Sequence, residues 1–322
     1  MFEKIKGIKK LVCNEITKCI YNKSNIVMLL VIIAITVGLA SIEGSKDVNN
    51  YNWREKEVAE AESIKSRLEE VDYSDESAES IIVTVDQVRL DLINYSLDKD
   101  IPLDLDTPWQ FVYKSKSILN IIIIFIIVLS ANIIYKEFAY GTIKPILIKP
   151  FSRSEVLLSK QLAVMLISVG LIVFQIVIAT IVGFVMFGKN GAITIILSSL
   201  NDSVIEINVV KNIVSYYLFS LIKIALLSTV SMLIALFIKK SVLPILLGML
   251  LWMGNSIFGS LFESYEQYKY TIFPNLDLTQ YLYGNQVVIK NSTIQFSLLI
   301  IVIYFIIFQM ISYYRFKHVD IR

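Results

Sequence analysis

Apolar residues are gathered into six long runs that are separated by polar segments. Each run approaches the roughly 20 residues that an α-helix needs to cross a bilayer. Insertion of a run such as 118–135 is favoured by several kcal/mol, at about 0.3–0.6 kcal/mol per central apolar residue. The pattern therefore predicts membrane-spanning helices over residues 25–42, 118–135, 161–187, 213–238, 242–262 and 294–314.

Lysine and arginine are distributed unevenly among the segments between these runs. They cluster in four segments, namely 1–24, 136–160, 239–240 and 315–322. The short segments 188–212 and 263–293 carry only two each. Because cytoplasmic segments are enriched in Lys and Arg, both termini are predicted inside. Segment 43–117 contains nine basic residues but twice as many acids, and long loops cross largely regardless of charge, so it is predicted outside.

Composition supports the same class. Hydrophobic residues make up 55% of the 322 residues, and charged residues make up only 18%. A water-soluble domain could not bury so large a hydrophobic fraction. The predicted fold is an all-α integral membrane protein with six transmembrane helices and both termini cytoplasmic. Frequent Ile, Lys and Asn indicate a low-GC Gram-positive source, and hence a multi-pass protein of the bacterial cytoplasmic membrane.

The leader 1–24 carries an apolar stripe at helical spacing. The stripe consists of Phe2, Ile5, Ile8, Val12, Ile16 and Ile20. An amphipathic interfacial helix is predicted, with its lysines facing anionic membrane lipid. Simple anchoring and packing beside a cytosolic partner both remain open. Cys13 and Cys19 are predicted to be ordinary thiols, because cytoplasmic disulfides are rare.

Segment 43–117 is the only sizeable polar part of the chain. Apolar residues recur at spacings of three and four in two stretches, namely Ala61, Ile64, Leu68 and Val71, and Ile81, Val85, Val88 and Leu92. This pattern predicts an extracellular helical hairpin between transmembrane helices 1 and 2. The hairpin either senses a substrate or partner, or is a solvated element without a ligand.

Segment 136–160 is a polar, basic insert between two apolar runs. Gly141 is placed to end the second span, because glycine accepts a left-handed backbone without steric cost. Thr142 can then cap a short helix with Pro145 in its first turn, and Pro150 stops that helix.

A second helix start follows at once. Ser152 and Glu155 have the spacing of a capping box, and Phe151 with Val156 supplies the matching hydrophobic staple. A new helix that continues into the third span is predicted from here. Segment 136–160 is therefore predicted to form a rigid elbow that protrudes into the cytosol.

At these residues the chain resembles the permease subunits of type-2 ATP-binding-cassette (ABC) transporters. The matching positions are Glu137, Gly141, Thr142, Ile146, Leu147, Pro150, Ser152, Arg153 and Lys160. The likeness extends to the leader, the six spans and the aromatic segment 263–293. It implies that the elbow is a coupling helix bound by a separate cytosolic ATPase subunit, which carries ATP and Mg. It also implies a dimer with a second copy or a related permease.

The resemblance also bears on the substrate. The long segment 43–117 is short in relatives that export polysaccharide, which makes that substrate class less favoured. An amphipathic peptide, such as a bacteriocin or peptide antibiotic, is the first expectation, with a role in antibiotic resistance or immunity. A lipid-like compound is the second.

No catalytic constellation is recognisable in the sequence. Gly183, Gly188 and Lys189 come close to a phosphate-binding loop, but Asn190 stands where Ser or Thr is required. His318 is the only histidine. The chain is therefore expected to be a transport subunit without enzymatic activity, cofactor, metal or nucleic-acid partner. The competing hypothesis is a membrane receptor or scaffold that senses an extracellular ligand and recruits a cytosolic signalling partner.

Two polar residues within the spans are candidates for the translocation path. Lys223 could meet an acidic group on the substrate, or its stem could extend towards the membrane surface. Asn255 could form a polar contact at a dimer seam or pack within one subunit. The tyrosines of segment 263–293 favour the headgroup level, so short interfacial or re-entrant helices are predicted there.

Overall fold

A computed structural model of the protein describes residues 2–44, 53–70, 79–101, 103, 107–142, 151–188, 195–200, 203–262, 265–282 and 292–318. The α-helices are α1 Phe2–Ile20, α2 Lys23–Gly44, α3 Trp53–Glu70, α4 Glu79–Lys99, α5 Pro108–Lys114, α6 Leu119–Ala139, α7 Arg153–Phe187, α8 Val209–Ile238, α9 Val242–Phe262, α10 Ile272–Asn275 and α11 Ile294–Lys317. Three 3-10 helices cover Ser115–Ile118, Glu266–Tyr270 and Leu278–Tyr281. Strands β1 Ile195–Leu200 and β2 Ser203–Asn208 complete the described elements.

Six of the described helical segments are long and apolar enough to cross a membrane. They are Asn25–Gly44, Pro108–Ala139, Arg153–Phe187, Val209–Ile238, Val242–Gly259 and Ile294–Lys317. The prediction of a membrane protein with six spanning helices is confirmed. The second segment begins ten residues earlier than predicted, at Pro108, because α5 and the 3-10 helix Ser115–Ile118 lead directly into α6.

Helix α8 lies at the centre of the bundle and is the most buried of the six. It contacts α5, α6, α7, α9 and α11. Gly248 permits a close approach of α9, since a Cβ at this position would lie 2.6 Å from Oγ of Ser231 on α8 and 2.7 Å from Ile127 on α6. The outward faces of α9 and α11 are mostly apolar and exposed, which suits contact with lipid or with another subunit.

The two ends of the bundle differ. The basal end, as we name it, brings together α1, the end of α6, the start of α7 and the end of α11. The distal end carries α3, α4, the two strands and residues 265–282. Residues 265–282 contain the three short helices predicted for this segment, and they pack against α8, α9 and α11.

The two strands correct the all-α expectation for segment 188–212. They pair antiparallel, with Ile195 opposite Asn208 and Leu200 opposite Ser203. Turn-favouring Asn201 and Asp202 between two stretches rich in isoleucine and valine were the sequence signal for a hairpin. Helix α4 packs on this sheet, and so the strands belong to the distal end.

Helices α3 and α4 pack against each other, as expected, but α4 uses a different face from the predicted one. Ile93 is fully buried, whereas Val85 is 59% exposed. Ile93 packs in an apolar cluster with Ala61 and Ile64 of α3. Two ion pairs, Arg67–Asp86 and Arg89–Glu60, also connect the helices. Val71 and the side chain of Ile81 lie outside the described residues.

Candidate functional site

Four charged side chains from three helices meet at the basal end. They are Glu15 and Lys18 of α1, Glu137 of α6 and Lys160 of α7, and together we call them the basal ion network. The ammonium of Lys160 lies 2.5 Å from Oε1 of Glu137 and 3.1 Å from Oε2 of Glu15. Its side chain is only 1% exposed. A lysine this deeply buried requires such partners, since an isolated charge would lose its hydration without compensation.

Lys18 pairs with both carboxylates of the network and is its most exposed member. Its ammonium donates to Oε1 of Glu15 at 2.7 Å and to Oε1 of Glu137 at 3.3 Å. Partial burial by itself lowers the pKa of Lys18, but the hydrogen bonds and charges of the two carboxylates outweigh it and raise the pKa above its ordinary value. Each carboxylate thus lies between two ammonium groups, and the four charges cancel.

The leader supplies two of these charges because of how α1 packs on α7. Val12, Glu15 and Cys19 form its buried face. The predicted leader helix is present, but its buried side is rotated from the predicted stripe, and Ile20 is 61% exposed. Burial, followed by the charge of Glu15, raises the pKa of the Cys19 thiol, which therefore stays protonated at neutral pH.

Two turns predicted for segment 136–160 are present. Gly141 has φ of +66°, the left-handed conformation expected after the end of α6. Ser152 caps α7 in a complete capping box: its Oγ accepts from the Glu155 amide at 3.2 Å, and Glu155 Oε2 accepts from the Ser152 amide at 2.8 Å. Thr142 is exposed.

The middle of the predicted elbow, residues 143–150, lies outside the described residues. The predicted coupling positions Ile146, Leu147 and Pro150 fall there. Just after it, Phe151 packs against the leader, since a Cβ on Gly7 would lie 2.8 Å from its ring. The described flank of the elbow is thus held against α1.

Arg153 binds the end of the last helix. Its guanidinium Nη1 donates to the carbonyl oxygens of Phe316 at 3.3 Å and Lys317 at 2.9 Å. A cation at this position is favourable, because the last carbonyls of a helix lack intrahelical donors and carry partial negative charge. Helix α11 is thereby tied to the start of α7.

These contacts refine the predicted coupling role of three residues. Glu137 and Lys160 are buried, and Arg153 is engaged with α11. Glu137 and Lys160 therefore offer almost no surface for direct contact with a partner. The sequence analysis missed Glu15 and Lys18, although an acid on the apolar face of an amphipathic leader was a usable signal.

Lys223 of α8 has a partner within the chain. Its ammonium lies 2.6 Å from Oδ2 of Asp277, which the sequence analysis did not single out. Oδ1 of Asp277 accepts from the amide and the hydroxyl of Thr279, at 3.1 and 2.6 Å. Lys223 lies 14 residues into α8, or about 21 Å along its axis. Residues 265–282 therefore reach deep into the bundle.

Lys223 is accompanied by a second lysine that the sequence analysis placed outside the spans. The ammonium of Lys116 lies 3.6 Å from the ring centre of Tyr113 and 5.2 Å from that of Tyr216. Aromatic faces stabilise a lysine where water is scarce. The second spanning segment, which begins at Pro108, includes Lys116 and so carries a charge that the predicted boundary at residue 118 excluded.

Asn255 of α9 forms a contact within one subunit. Its Oδ1 accepts from the hydroxyl of Tyr268 at 3.0 Å. At the neighbouring Gly254, a Cβ would lie 2.2 Å from the ring of Phe273, so only glycine permits this packing. Of the two interpretations of Asn255, the structure provides contacts for packing within the subunit.

Across the described ranges, no group of three or more His, Cys, Asp or Glu side chains could hold a metal ion.

Comparison with known proteins gives a family but no activity. Residues 81–322 match the family described as "Protein of unknown function (DUF2705)", and the chain belongs to this family. It is 29% identical over 318 residues to "Uncharacterized protein YhcI" of Bacillus subtilis (strain 168), covering 97% of this chain and 98% of that protein. It is 26% identical over 198 residues to "Uncharacterized membrane protein YdbK" of the same organism, covering 61% and 76%.

Proposed function

We propose that this member of the DUF2705 family is the membrane-spanning permease subunit of an ABC transporter in a bacterial cytoplasmic membrane. The basal end faces the cytoplasm in this proposal. Two copies, or this chain and a related one, form the pathway, and separate ATPase subunits bind at segment 136–160. The observation that carries the proposal is the fully buried Lys160, joined to acids from both the leader and the foot of α6.

The network suits a coupling device because it links parts that must move together. Gly141 and Ser152 fix the backbone on either side of residues 143–150. An ion pair joins the helices on the two sides of this segment: Oε1 of Glu137 on α6 lies 2.5 Å from the ammonium of Lys160 on α7. A displacement imposed on the segment by a partner would therefore be transmitted to both α6 and α7 as one unit.

Arg153 and the leader extend this unit across the basal end. Arg153 connects the start of α7 with the end of α11, and Glu15 connects α7 with α1. ATP binding would draw two such units together and shift the pathway between inward and outward states. A substrate is transported only if it favours one of these states over the other.

Export of an amphipathic peptide is the substrate class we favour, with a lipid-like compound second. Lys116 and the Lys223–Asp277 pair place charges among aromatic and apolar side chains in the distal half. Such a lining suits a solute with both polar and apolar parts. A role in resistance or immunity towards peptide antibiotics would follow from this substrate class.

Affinity purification from native membranes tests the proposal. We expect an ABC ATPase subunit to co-purify with the wild-type chain in stoichiometric amount. In the reconstituted complex, Arg153→Gln should lower substrate-stimulated ATP hydrolysis, whereas Lys240→Gln, an exposed change at the same end, should not. Recovery of the intact chain without any ATPase would overturn the proposal.

A receptor or scaffold is the second candidate, and the distal end favours it. Glu57, 6% exposed, accepts from the hydroxyl of Ser96 on α4 and from the amide of Leu103 at 2.9 Å. Tyr95 donates to Glu206 of the strand pair at 3.2 Å. A shaped surface of helices and strands is therefore available for a ligand. Co-purification of a signalling protein in place of an ATPase would support this alternative.

A further inference from the structure

A large apolar cavity opens beside the leader at the basal end. It has a volume of about 610 Å³ and lies between the last turn of α1, the start of α2, α6 and α7. Its lining includes Ile20, Met28, Leu129, Leu166 and Phe174. Leu166 and Ile20 are 54% and 61% exposed, so the cavity is open on the side where α1 and α7 face the bilayer.

A second, polar cavity of about 260 Å³ adjoins it. Cys19 and Leu129 line both. The polar cavity is also lined by Lys18, Lys136, Glu15, Glu137 and Asn22. An apolar chamber thus continues into a smaller chamber that carries two ammonium groups, two carboxylates and an amide.

The two ammonium groups and two carboxylates that line the polar cavity balance one another, but both carboxylates also pair with the buried Lys160, which does not line it. The four groups of the basal ion network cancel one another, which leaves Lys136 in excess. In the part of the chain that the structure describes, Lys136 takes part in no ion pair, and its side chain is half-buried. Counted together with Lys160, the charged groups at the site therefore leave one net positive charge that an anionic group would neutralise.

The junction of the two cavities lies about one leaflet's thickness from the end of α6. Leu129 lies ten residues before the end of α6 at Ala139, or about 15 Å along the helix. The hydrocarbon of one leaflet is also about 15 Å thick, half of the roughly 30 Å core. A lipid with its headgroup at the polar cavity can therefore place an acyl chain against the apolar lining around Leu129 within the thickness of one leaflet.

From this juxtaposition we infer that the two cavities bind one anionic phospholipid of the leaflet at the basal end. The phosphate contacts Lys136 and Lys18, and an acyl chain occupies the apolar cavity between α2 and α7. The lipid would fill the gap between the leader and the bundle and so stabilise the basal ion network. This site does not depend on the proposed transport function.

Two substitutions test the two halves of the site separately. Lys136→Gln removes the excess charge, with Lys240→Gln as its control at an exposed lysine outside both cavities. Gly170→Leu fills the apolar cavity, since a Cβ at Gly170, which lines it, would meet no atom within 4 Å. Gly38→Leu is the matched control, because its Cβ position is equally open but lies outside the cavity.

Binding is measured by native mass spectrometry of the intact chain released from nanodiscs that contain dioleoyl phosphatidylglycerol and dioleoyl phosphatidylcholine. We expect one phosphatidylglycerol to be retained by the wild type and by both controls. Lys136→Gln should weaken its retention about five-fold, equivalent to ~1 kcal/mol per lysine at a membrane surface. Gly170→Leu should reduce retention to the level of phosphatidylcholine.

A phosphatidylglycerol with a photoreactive acyl chain then locates the site. Cross-links to Met28, Leu166 or Phe174 support it. Equal retention of the two lipids by the wild type would overturn the inference, as would cross-links confined to α9 and α11. Phosphatidylglycerol retention that neither Lys136→Gln nor Gly170→Leu lowers would also overturn it, because the lipid would then be bound elsewhere on the bundle.

Discussion

Replacing Lys160 by methionine tests whether the basal ion network holds the basal end together. Methionine preserves much of the side-chain length but removes a charge that is 1% exposed and 2.5 Å from Glu137. Two carboxylates then remain with only Lys18 to balance them. Breaking a buried pair by removing one partner costs about 3–5 kcal/mol. We expect Lys160→Met to lower the free energy of unfolding by about this amount.

A double variant separates charge from packing. Lys160→Met combined with Glu137→Gln leaves Glu15 with Lys18, whose ammonium is 2.7 Å away, and so restores neutrality. Residues within one charge network show interaction energies of about 0.5–3 kcal/mol. The double variant should therefore be more stable than Lys160→Met alone.

Equilibrium unfolding in mixed micelles of increasing SDS content provides the measurement, followed by the fluorescence of the three tryptophans. Lys240→Met is the control, because it makes the same chemical change at an exposed position. The reasoning is refuted by a loss below about 1 kcal/mol for Lys160→Met. Strict additivity of the two single losses in the double variant would refute it as well.

Three further predictions concern the turns and the Lys223–Asp277 pair. Ser152→Ala removes the helix cap and should cost about 1 kcal/mol, seen as faster amide hydrogen exchange in the first turn of α7 but not at its centre. Gly141→Ala should cost about 1–2 kcal/mol because of the left-handed backbone, whereas the same change at Gly38 should be tolerated. Burial alone raises the pKa of Asp277, but Lys223 and Thr279 outweigh it and hold the pKa below 3.8. The stabilisation by the Lys223–Asp277 pair is therefore complete above about pH 4 and is lost as the pH falls through the folded-state pKa of Asp277. Asp277→Asn should remove this dependence of the free energy of unfolding on pH. A variant whose unfolding depends on pH as the wild type's does would contradict the assignment.

Local signals in the sequence predicted most of the bundle. Long apolar runs identify the spans because the bilayer requires them, whatever their partners are. The capping box at Ser152 and the left-handed Gly141 were predictable for a similar reason, since each depends on a few neighbouring residues. Such features need no knowledge of the tertiary arrangement.

The missed features depend on contacts between distant parts of the chain. Apolar spacing in α4 indicated Val85, but packing against Ala61 and Ile64 of α3 buries the face with Ile93. The sequence does not distinguish Asp277 from other acids, because its contact with Lys223 depends on how residues 265–282 pack in the bundle. The role of Glu15 likewise depends on its ion pair with Lys160, which belongs to another helix.

The order of synthesis gives the basal ion network a further consequence. Lys18 and Glu137 are 119 residues apart in the chain. At about 5–20 residues per second, the ribosome needs roughly 6–24 s to proceed from one to the other. Throughout this interval Glu15 lacks Lys160 and must stay hydrated at the membrane surface. The leader can therefore complete this network only after Lys160 of α7 has been translated.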